Sequence, residues 1–305
     1  MEQAAQNVFN FHLAGIVPVA GQKLDFNFPW HDCLQPIAQN YLAVERAVWE
    51  CVYAGCETVW IVCHDDMQPL IRYRLGDYAY DPVNYGRSKR ARDSNMLKEI
   101  PIYYVPIHPK DQDKRDCLGW SAMYGAHCAY WLSMTISKWV VPDRYYVAFP
   151  YGVYDPQILR AERRSISSKR PFFVSHEGKT VKDNEYLGFT FDAEDFKKAR
   201  RIVRKEGTGE WTEYQSGERL PIEERWSGRF FTLDKIFKPV NMEGANVLET
   251  TWYYNSGCWS GLRAYLASTE CENTSRPAEQ YLKYHEWNPV GVDEGLDEGL
   301  EEEEY

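Results

Sequence analysis

The chain has 305 residues, a hydrophobic fraction of 44% and a formal net charge of −10. These values exclude intrinsic disorder over most of the chain, and although the length allows one or two domains, we expect one large α/β domain. Eight of the acidic residues lie in the last thirteen positions, the acidic tail (residues 293–305, DEGLDEGLEEEEY), so the remainder carries only −2. We interpret the acidic tail as a solvated appendage that serves solubility or docks on a basic protein partner.

Several classes of protein are disfavoured by simple patterns. No apolar run of about eighteen residues and no export signal is present, so we expect no membrane route and a cytoplasmic location. Eight cysteines without CxxC spacing indicate reduced, mostly buried thiols. The acidic balance argues against nucleic acid as the main ligand.

One basic segment departs from that balance. FKKARRIVRK (residues 196–205) predicts a helix with a buried stripe of Phe196, Ala199 and Val203 and a basic remainder. The basic face is either solvated or a phosphate site, and we favour the solvated face.

The first elements form a strand, helix and strand. An apolar run, Ile16–Ala20, is closed by Gly21, and a second β-rich run spans Thr58–Cys63. Between them, a helix from Asn40 to Gly55 has apolar residues at spacings of three and four, with Arg46 and Glu50 on the opposite side. We predict a βαβ crossover with parallel strands.

Later segments repeat the same theme and then change. We predict a basic link at Arg160–Arg170 and an exposed excursion at Tyr78–Ile100. The predicted strands are Ile102–Ile107, Tyr145–Phe149, Phe172–Ser175, Glu185–Phe191, Arg229–Leu233 and Val247–Tyr254, and the helices are Leu70–Leu75, Trp120–Ser137 and Trp259–Ala267. This alternation predicts an α/β protein with a mainly parallel mixed sheet flanked by helices on both faces.

The sheet order also predicts where a ligand binds. Ligands in open α/β sheets bind beyond the carboxyl ends of the strands, where Gly21, His64, Gly152 and Asp155 are expected to converge. The acids that follow His64 (Asp65 and Asp66) either hold a metal or cap the next helix, and we favour the cap.

Motifs in a fixed order support a family resemblance. They are IVPVAG (16–21), LQPI (34–37), LGD (75–77), CLGWSAMYGAHCA (117–129), DRYYVAFPYG (143–152), YLGFTFDAEDF (186–196) and TTWYYNSGCWSGLRAY (250–265). Over residues 13–270 the chain resembles the sugar-phosphate nucleotidyltransferases of the nucleotide-diphospho-sugar transferase (GT-A) superfamily. The resemblance implies a Rossmann-like GT-A fold in one domain, 1–274, with a nucleotide-binding half, 13–155, a sugar or acceptor half, 156–274, and a C-terminal extension, 275–305.

The resemblance further implies a site and a reaction. The protein would bind a nucleotide or nucleotide sugar and transfer a nucleotidyl group to a sugar phosphate. The implied nucleotide-binding positions are Ala20, Gly21, Ser121, Gly125 and Gly152. Asp155 and Asn255 are the implied catalytic residues and the ligands of a Mg²⁺ ion.

Departures from the family pattern leave a second function open. The loop at Gly21 lacks a run of glycines and an arginine, His31 and Asp32 replace a lysine before LQPI, and the second metal aspartate falls on Asn255. The alternative is a non-catalytic member of the same fold that acts as a structural or assembly protein. Such a protein would be phage-encoded, located in host cytoplasm or virion, and homo-oligomeric.

Overall fold

The structure, a computed structural model, describes residues 11–21, 31–81, 98–111, 117–206 and 231–277. The strands are β1 (Leu13–Pro18), β2 (Pro36–Ala38), β3 (Tyr41–Leu42), β4 (Thr58–Cys63), β5 (Tyr78–Tyr80), β6 (Glu99–Pro106), β7 (Arg144–Val147), β8 (Gly152–Val153), β9 (Phe172–Ser175), β10 (Phe189–Phe191), β11 (Asn246–Glu249) and β12 (Tyr254–Asn255). The helices are α1 (Ala43–Ala54), α2 (Gln68–Leu75), α3 (Leu118–Ile136), α4 (Leu159–Ile166), α5 (Ala193–Glu206), α6 (Leu233–Phe237), α7 (Trp259–Leu266) and α8 (Thr269–Asn273).

Eight strands form one mixed sheet in the order β11-β9-β10-β7-β1-β4-β6-β5. The central strands β7, β1, β4 and β6 are parallel neighbours, with Ala14 of β1 opposite Thr58 of β4 and Tyr145 of β7. Strand β10 runs antiparallel between β7 and β9, and β5 runs antiparallel to β6 at one edge. The predicted α/β class with a mainly parallel mixed sheet is confirmed.

Helices cover both faces of this sheet, as predicted. Alternate residues of β1 point to opposite faces, so Leu13 and Val17 join one hydrophobic cluster and Ala14 and Ile16 join the other. The first cluster includes α1, and the second includes α3, α5 and α6. The sheet also takes strands from both predicted halves of the chain, whereas the domain boundaries themselves stay a prediction.

The environment of α1 differs from the predicted one. All twelve residues of α1 are buried, including Arg46 and Glu50, which the amphipathic pattern placed on the side opposite the apolar residues. The apolar face packs on the sheet, while the other face is covered by the chain around residues 149–158, so no solvent-exposed face remains. Gly55 ends the helix with φ of 90°, in the left-handed conformation that was predicted.

Several predicted elements differ from the structure. Leu233, the last residue of the predicted strand Arg229–Leu233, begins α6, and the predicted strand Glu185–Phe191 is limited to β10. The basic link at Arg160–Arg170 is helical over most of its length, as α4, and the predicted strand Val247–Tyr254 divides into β11 and the start of β12. The excursion from Tyr78 begins with strand β5, and its residues 82–97 lie outside the described part of the chain. The residue that precedes α2 as its N-cap is Met67, so neither Asp65 nor Asp66 caps that helix.

The cysteines are all free thiols, and five of the eight are buried. Cys51 of α1 and Cys56 lie under β1, where a Cβ atom on Gly15 would be 2.7 Å from Cys51 Sγ and 3.2 Å from Cys56 Sγ. Burial raises the pKa of the Cys51 thiol well above its usual value, and its hydrogen bond with Cys56 adds to this. Among the described helices, none combines the length and the apolar character needed to cross a bilayer.

Candidate nucleotide site

The loop after β1 is fixed to β4 and to the start of α3. The backbone N–H groups of Val19 and Ala20 both donate to the Val62 carbonyl oxygen, at 2.9 and 3.1 Å. The buried Ser121 hydroxyl donates to the Ala20 carbonyl oxygen at 2.7 Å. Gly21 has φ of 88°, and a Cβ atom there would lie 2.5 Å from the Cys117 backbone. Glycine is therefore required where this loop meets the helix.

A second junction joins the end of β7 to the late part of the chain. The Tyr151 hydroxyl donates to the Val19 carbonyl oxygen at 3.1 Å, which links this segment to the loop after β1. The Tyr151 carbonyl oxygen accepts from both the backbone N–H and the hydroxyl of Ser256, at 2.8 and 2.9 Å. Gly152 and Asn255 are partners in the β8–β12 pair. Gly21, Tyr151 and Asn255 thus belong to one connected region.

A buried ion pair on α1 contacts the segment that follows β7. Arg46 donates to Glu50 at 2.7 Å and to the Phe149 carbonyl oxygen at 2.9 Å. The hydroxyl groups of Tyr146 and Tyr154 donate hydrogen bonds to the other carboxylate oxygen of Glu50, at 2.8 and 2.5 Å. Burial raises the pKa of the Glu50 carboxyl, while Arg46 and the two hydroxyls oppose that rise. Each of the four side chains makes at least one hydrogen bond, although Arg46 Nε has no partner, and these bonds position residues 149–154 against α1.

The described residues of the turn before β2 and of the loops after β1 and β4 include acids and no lysine or arginine, while the segment after β6 carries Lys110. Asp32 begins the turn before β2, and Asp65 and Asp66 follow β4, where both are exposed. Partial burial raises the pKa of Asp32 above its usual value. Burial raises the pKa of the Cys33 thiol, and the nearby Cys63 raises it further. The turn before β2 therefore lies beside the end of β4. The positive end of the α3 dipole, beside Gly21, is the described feature here that favours an anion.

Of the five predicted nucleotide-binding residues, four are buried and one is accessible. Ala20, Ser121, Gly125 and Gly152 are buried, whereas Gly21 is half-exposed. Gly125 lies where α3 meets the sheet, since a Cβ atom there would be 2.7 Å from Val62 Cγ2 and 2.8 Å from Ile16 Cγ2. Gly152 packs on the Tyr186 backbone in the same way. Direct contact of these positions with a nucleotide stays a prediction.

The two predicted metal ligands have separate surroundings. Asp155 Oδ1 accepts a hydrogen bond from the Gln157 N–H at 2.9 Å. Asp155 also lines a cavity of about 310 Å³ beside α1 and Trp252. Asn255 Oδ1 accepts from the Gly257 N–H at 3.0 Å. Within the described ranges no group of three or more His, Cys, Asp or Glu is placed to hold a metal. A Mg²⁺ ion at Asp155 and Asn255 stays a prediction, and no chemical step is derived through it.

Several residues that build this region were missed from the sequence. Ser256, Arg46 and Glu50 contact residues about a hundred positions away, and no local spacing in the sequence predicts such pairs. The one usable signal was composition, because tyrosines cluster in YYVAFPYGVY (145–154), where the hydroxyls of Tyr146, Tyr151 and Tyr154 all find partners.

Comparison with known proteins addresses the fold. No protein-family model and no curated protein sequence matches the chain. A structure named as a candidate glucose-1-phosphate thymidylyltransferase from Bacillus anthracis, in complex with sucrose, superposes with a TM-score of 0.50 at 10% identity, over 88% of this chain and 98% of that one. The chain shares its α/β fold with that structure.

Two further solved structures are similar over most of their length. A UDP-glucose pyrophosphorylase complexed with UDP-glucose gives a TM-score of 0.47 at 13% identity, covering 84% of this chain and 97% of that chain. An apo UDP-glucose pyrophosphorylase gives 0.48 at 13% identity, covering 87% and 100%.

Proposed function

We propose that the protein binds a nucleotide or a nucleotide sugar at the carboxyl edge of β1, β4 and β7. The observation that carries this proposal is the fixed loop after β1, whose carbonyl oxygens accept from Ser121 and Tyr151 and whose Gly21 lies at the start of α3. This arrangement lies in a fold shared with a candidate thymidylyltransferase, at the end of the sheet where α/β proteins bind their ligands.

The reaction proposed for this site is nucleotidyl transfer to a sugar phosphate. An oxygen of the sugar phosphate forms a bond to the α-phosphorus of a nucleoside triphosphate, and the bond to the bridging oxygen breaks to release pyrophosphate. A site for this reaction must stabilise the charge that builds on the phosphate oxygens. The described loops supply the dipole of α3 and the backbone near Gly21, while Asp32, Asp65 and Asp66 oppose the phosphate charge.

A second candidate function rests on those acids. Asp32 lies at the position where the family resemblance implies a lysine, and the described residues of the loops after β1 and β4 include no lysine or arginine. This observation favours a non-catalytic member of the fold that serves as a structural or assembly protein. A phage origin, a cytoplasmic or virion location and homo-oligomers stay predictions.

Ligand-dependent thermal unfolding tests the binding proposal. A ligand at about 100 times its Kd stabilises the folded state by about 2.7 kcal/mol, so UDP-glucose, UTP or dTTP should raise the Tm by about 5 °C. Each ligand is measured with and without Mg²⁺. Pyrophosphate release from UTP or dTTP with glucose 1-phosphate separates a transferase from a binder. No shift with any of these nucleotides would contradict the proposal.

A charge substitution locates the binding site. Asp32→Asn removes a negative charge beside the proposed phosphate position, so we expect it to tighten nucleotide binding by about threefold to tenfold without added Mg²⁺. The control is Glu57→Gln, which removes the same charge at the amino end of β4, where Glu57 forms a half-exposed pair with Lys98 at 3.1 Å. Equal affinity changes in both variants would place the nucleotide elsewhere.

A further inference from the structure

The last two turns of α3 expose apolar side chains in several directions. Trp131 is 55% exposed, Ile136 is 71% exposed and Trp139, just after the helix, is 94% exposed. Leu132 and Met134 between them are also exposed. A helix that is apolar on all sides is usually covered, and a large exposed apolar patch commonly marks an interaction surface.

A basic helix lies directly beside this apolar end. His127 of α3 stacks on Phe196 of α5, with ring centroids 6.0 Å apart and planes 4° apart. Beside that contact, the two helices form a groove of about 290 Å³, which we call the α3–α5 groove. Its lining includes His127, Tyr130, Trp131, Phe196, Lys197 and Arg200. Lys198, Arg201 and Arg204 are exposed on the same helix. The surface therefore suits a ligand that is both acidic and apolar.

We propose that the acidic tail of this chain, residues 293–305, docks in the α3–α5 groove. The tail contains two DEGL units followed by EEEEY, so Leu296, Leu300 and Tyr305 are interspersed with eight carboxylates. The leucine and tyrosine side chains match the aromatic lining of the groove. The carboxylates match the cationic groups of α5, and pairing of several charges at once makes such a contact effective where single surface pairs are weak.

The intervening chain must pass from one face of the sheet to the other. Pro277, the last described residue, lines the cavity beside α1, whereas the α3–α5 groove lies on the opposite face. Sixteen peptide units join Pro277 to Asp293, and they span at most about 55 Å when extended. Because the tail belongs to the same chain, the contact is intramolecular and its extent does not depend on protein concentration.

Charge also argues against a second copy as the occupant. A symmetric dimer through this face would place α5 of one protomer against the same surface of the other, because a twofold interface pairs a patch with itself. The exposed Lys197, Lys198, Arg200 and Arg201 would then face like charges. The tail brings the opposite charge to the same place.

Zero-length carbodiimide cross-linking of the full-length protein tests the proposal. The reagent joins a lysine to a carboxylate only when they are in contact, and mass spectrometry identifies the joined peptides. We expect Lys197 or Lys198 joined to tail acids within one chain, with a yield that is independent of protein concentration and falls at least fivefold in about 0.5 M salt.

Variants that keep both lysines test the groove itself. Arg200→Glu and Trp131→Ala are each expected to lower the tail cross-link at least fivefold, while their Tm stays within about 2 °C of wild type because both side chains are exposed. Arg170→Glu, an equally exposed charge reversal outside the groove, should leave the yield unchanged. This test does not depend on nucleotide binding.

Four results would overturn the proposal. Cross-links only between two chains would assign the groove to a second copy. Tail cross-links spread equally over Lys169, Lys182 and the α5 lysines would show non-specific attraction. No tail cross-link at all, or a yield unaffected by Arg200→Glu, would show that the tail lies elsewhere.

Discussion

Gly152 is in close contact with two segments that are distant from it in the sequence. It pairs with Asn255 in the β8–β12 sheet, and a Cβ atom on it would overlap the Tyr186 carbonyl oxygen. The neighbouring Tyr151 supports the loop after β1 through its hydroxyl. A methyl group at position 152 would therefore displace the segment that joins the two junctions of the candidate site.

Replacement of this glycine gives a direct stability test. Gly152→Ala is expected to lower the free energy of unfolding by about 3 kcal/mol, because close-packed interiors cannot accept an added methyl group without backbone movement. Gly178→Ala is the matched control, since its φ of 74° costs about 1–2 kcal/mol but no heavy atom lies within 4 Å of the new Cβ atom. Urea unfolding measures both. A larger loss for Gly178→Ala would contradict this account.

His127 links protonation to the packing of α3 on α5. Burial lowers the pKa of His127 below its usual value, and Arg200 of α5 lowers it further. Asp111 lines the adjoining cavity, and Tyr124 of α3 lies on the same side. Because the folded state binds the proton less readily than the unfolded state, this contribution is present above the unfolded pKa and is lost as pH falls through the folded pKa.

The resulting pH dependence can be isolated with one variant. Relative to His127→Phe, which keeps a ring against Phe196, the wild-type protein should lose unfolding free energy when the pH is lowered from about 7.5 to about 5. Urea unfolding at both pH values supplies the difference, in which the titration of other groups cancels. A difference that is constant, or that favours wild type at the lower pH, would contradict the assignment.

At the scale of the helix, α1 and α4 show how burial on two sides changes the role of charge. Arg163 of α4 donates to the carbonyl oxygens of Val52 and Tyr53 at the end of α1, at 2.6 and 2.8 Å. The same guanidinium makes two bonds to Asp81, at 2.7 and 2.8 Å. These bonds satisfy carbonyl groups that a helix end leaves without partners.

Substitution of Arg163 should separate geometry from charge. Arg163→Ala is expected to cost about 3 kcal/mol of unfolding free energy, since it removes the guanidinium that bonds the buried Asp81 carboxylate and the Val52 and Tyr53 carbonyl oxygens. Arg163→Lys should recover less than half of this loss, because an ammonium group cannot reproduce the planar fork. Arg164→Ala, on the exposed side of α4, should change stability by less than about 0.5 kcal/mol. Full rescue by lysine would show that charge alone matters.

For the whole molecule, the predicted order of strands and helices is confirmed, while the predicted site stays a prediction. The alternation from Ile16 to Phe149 fixed the parallel centre, because buried strands and crossover helices leave a local pattern in the sequence. The edge strand β5 was missed and β12, which pairs with β8 in a separate two-stranded sheet, was misplaced, since two or three residues carry too little pattern. Arg46 and Glu50 were misassigned because periodicity detects one buried face and does not reveal a second layer above it.

The chemistry of the site was least accessible from the sequence. Ser121 and Gly152 lie in the region of the loop after β1 and the β8–β12 pair, and their buried contacts support its backbone. Asn255 was assigned from the resemblance and Asp155 from the resemblance and its position after β7, and each has an oxygen bonded in its own turn. Pairing over a hundred positions, as between Tyr151 and Ser256, depends on the finished fold.

The eight thiols are buried to different extents, so the rate at which each one is alkylated reports which part of the protein opens. Alkylating reagents attack the thiolate, so Cys51 and Cys56 can be modified only when β1 separates from α1, whereas Cys258 is half-exposed in the native state. The order in which these positions acquire label would distinguish loosening of the periphery from rupture of the central strands, without any engineered reporter.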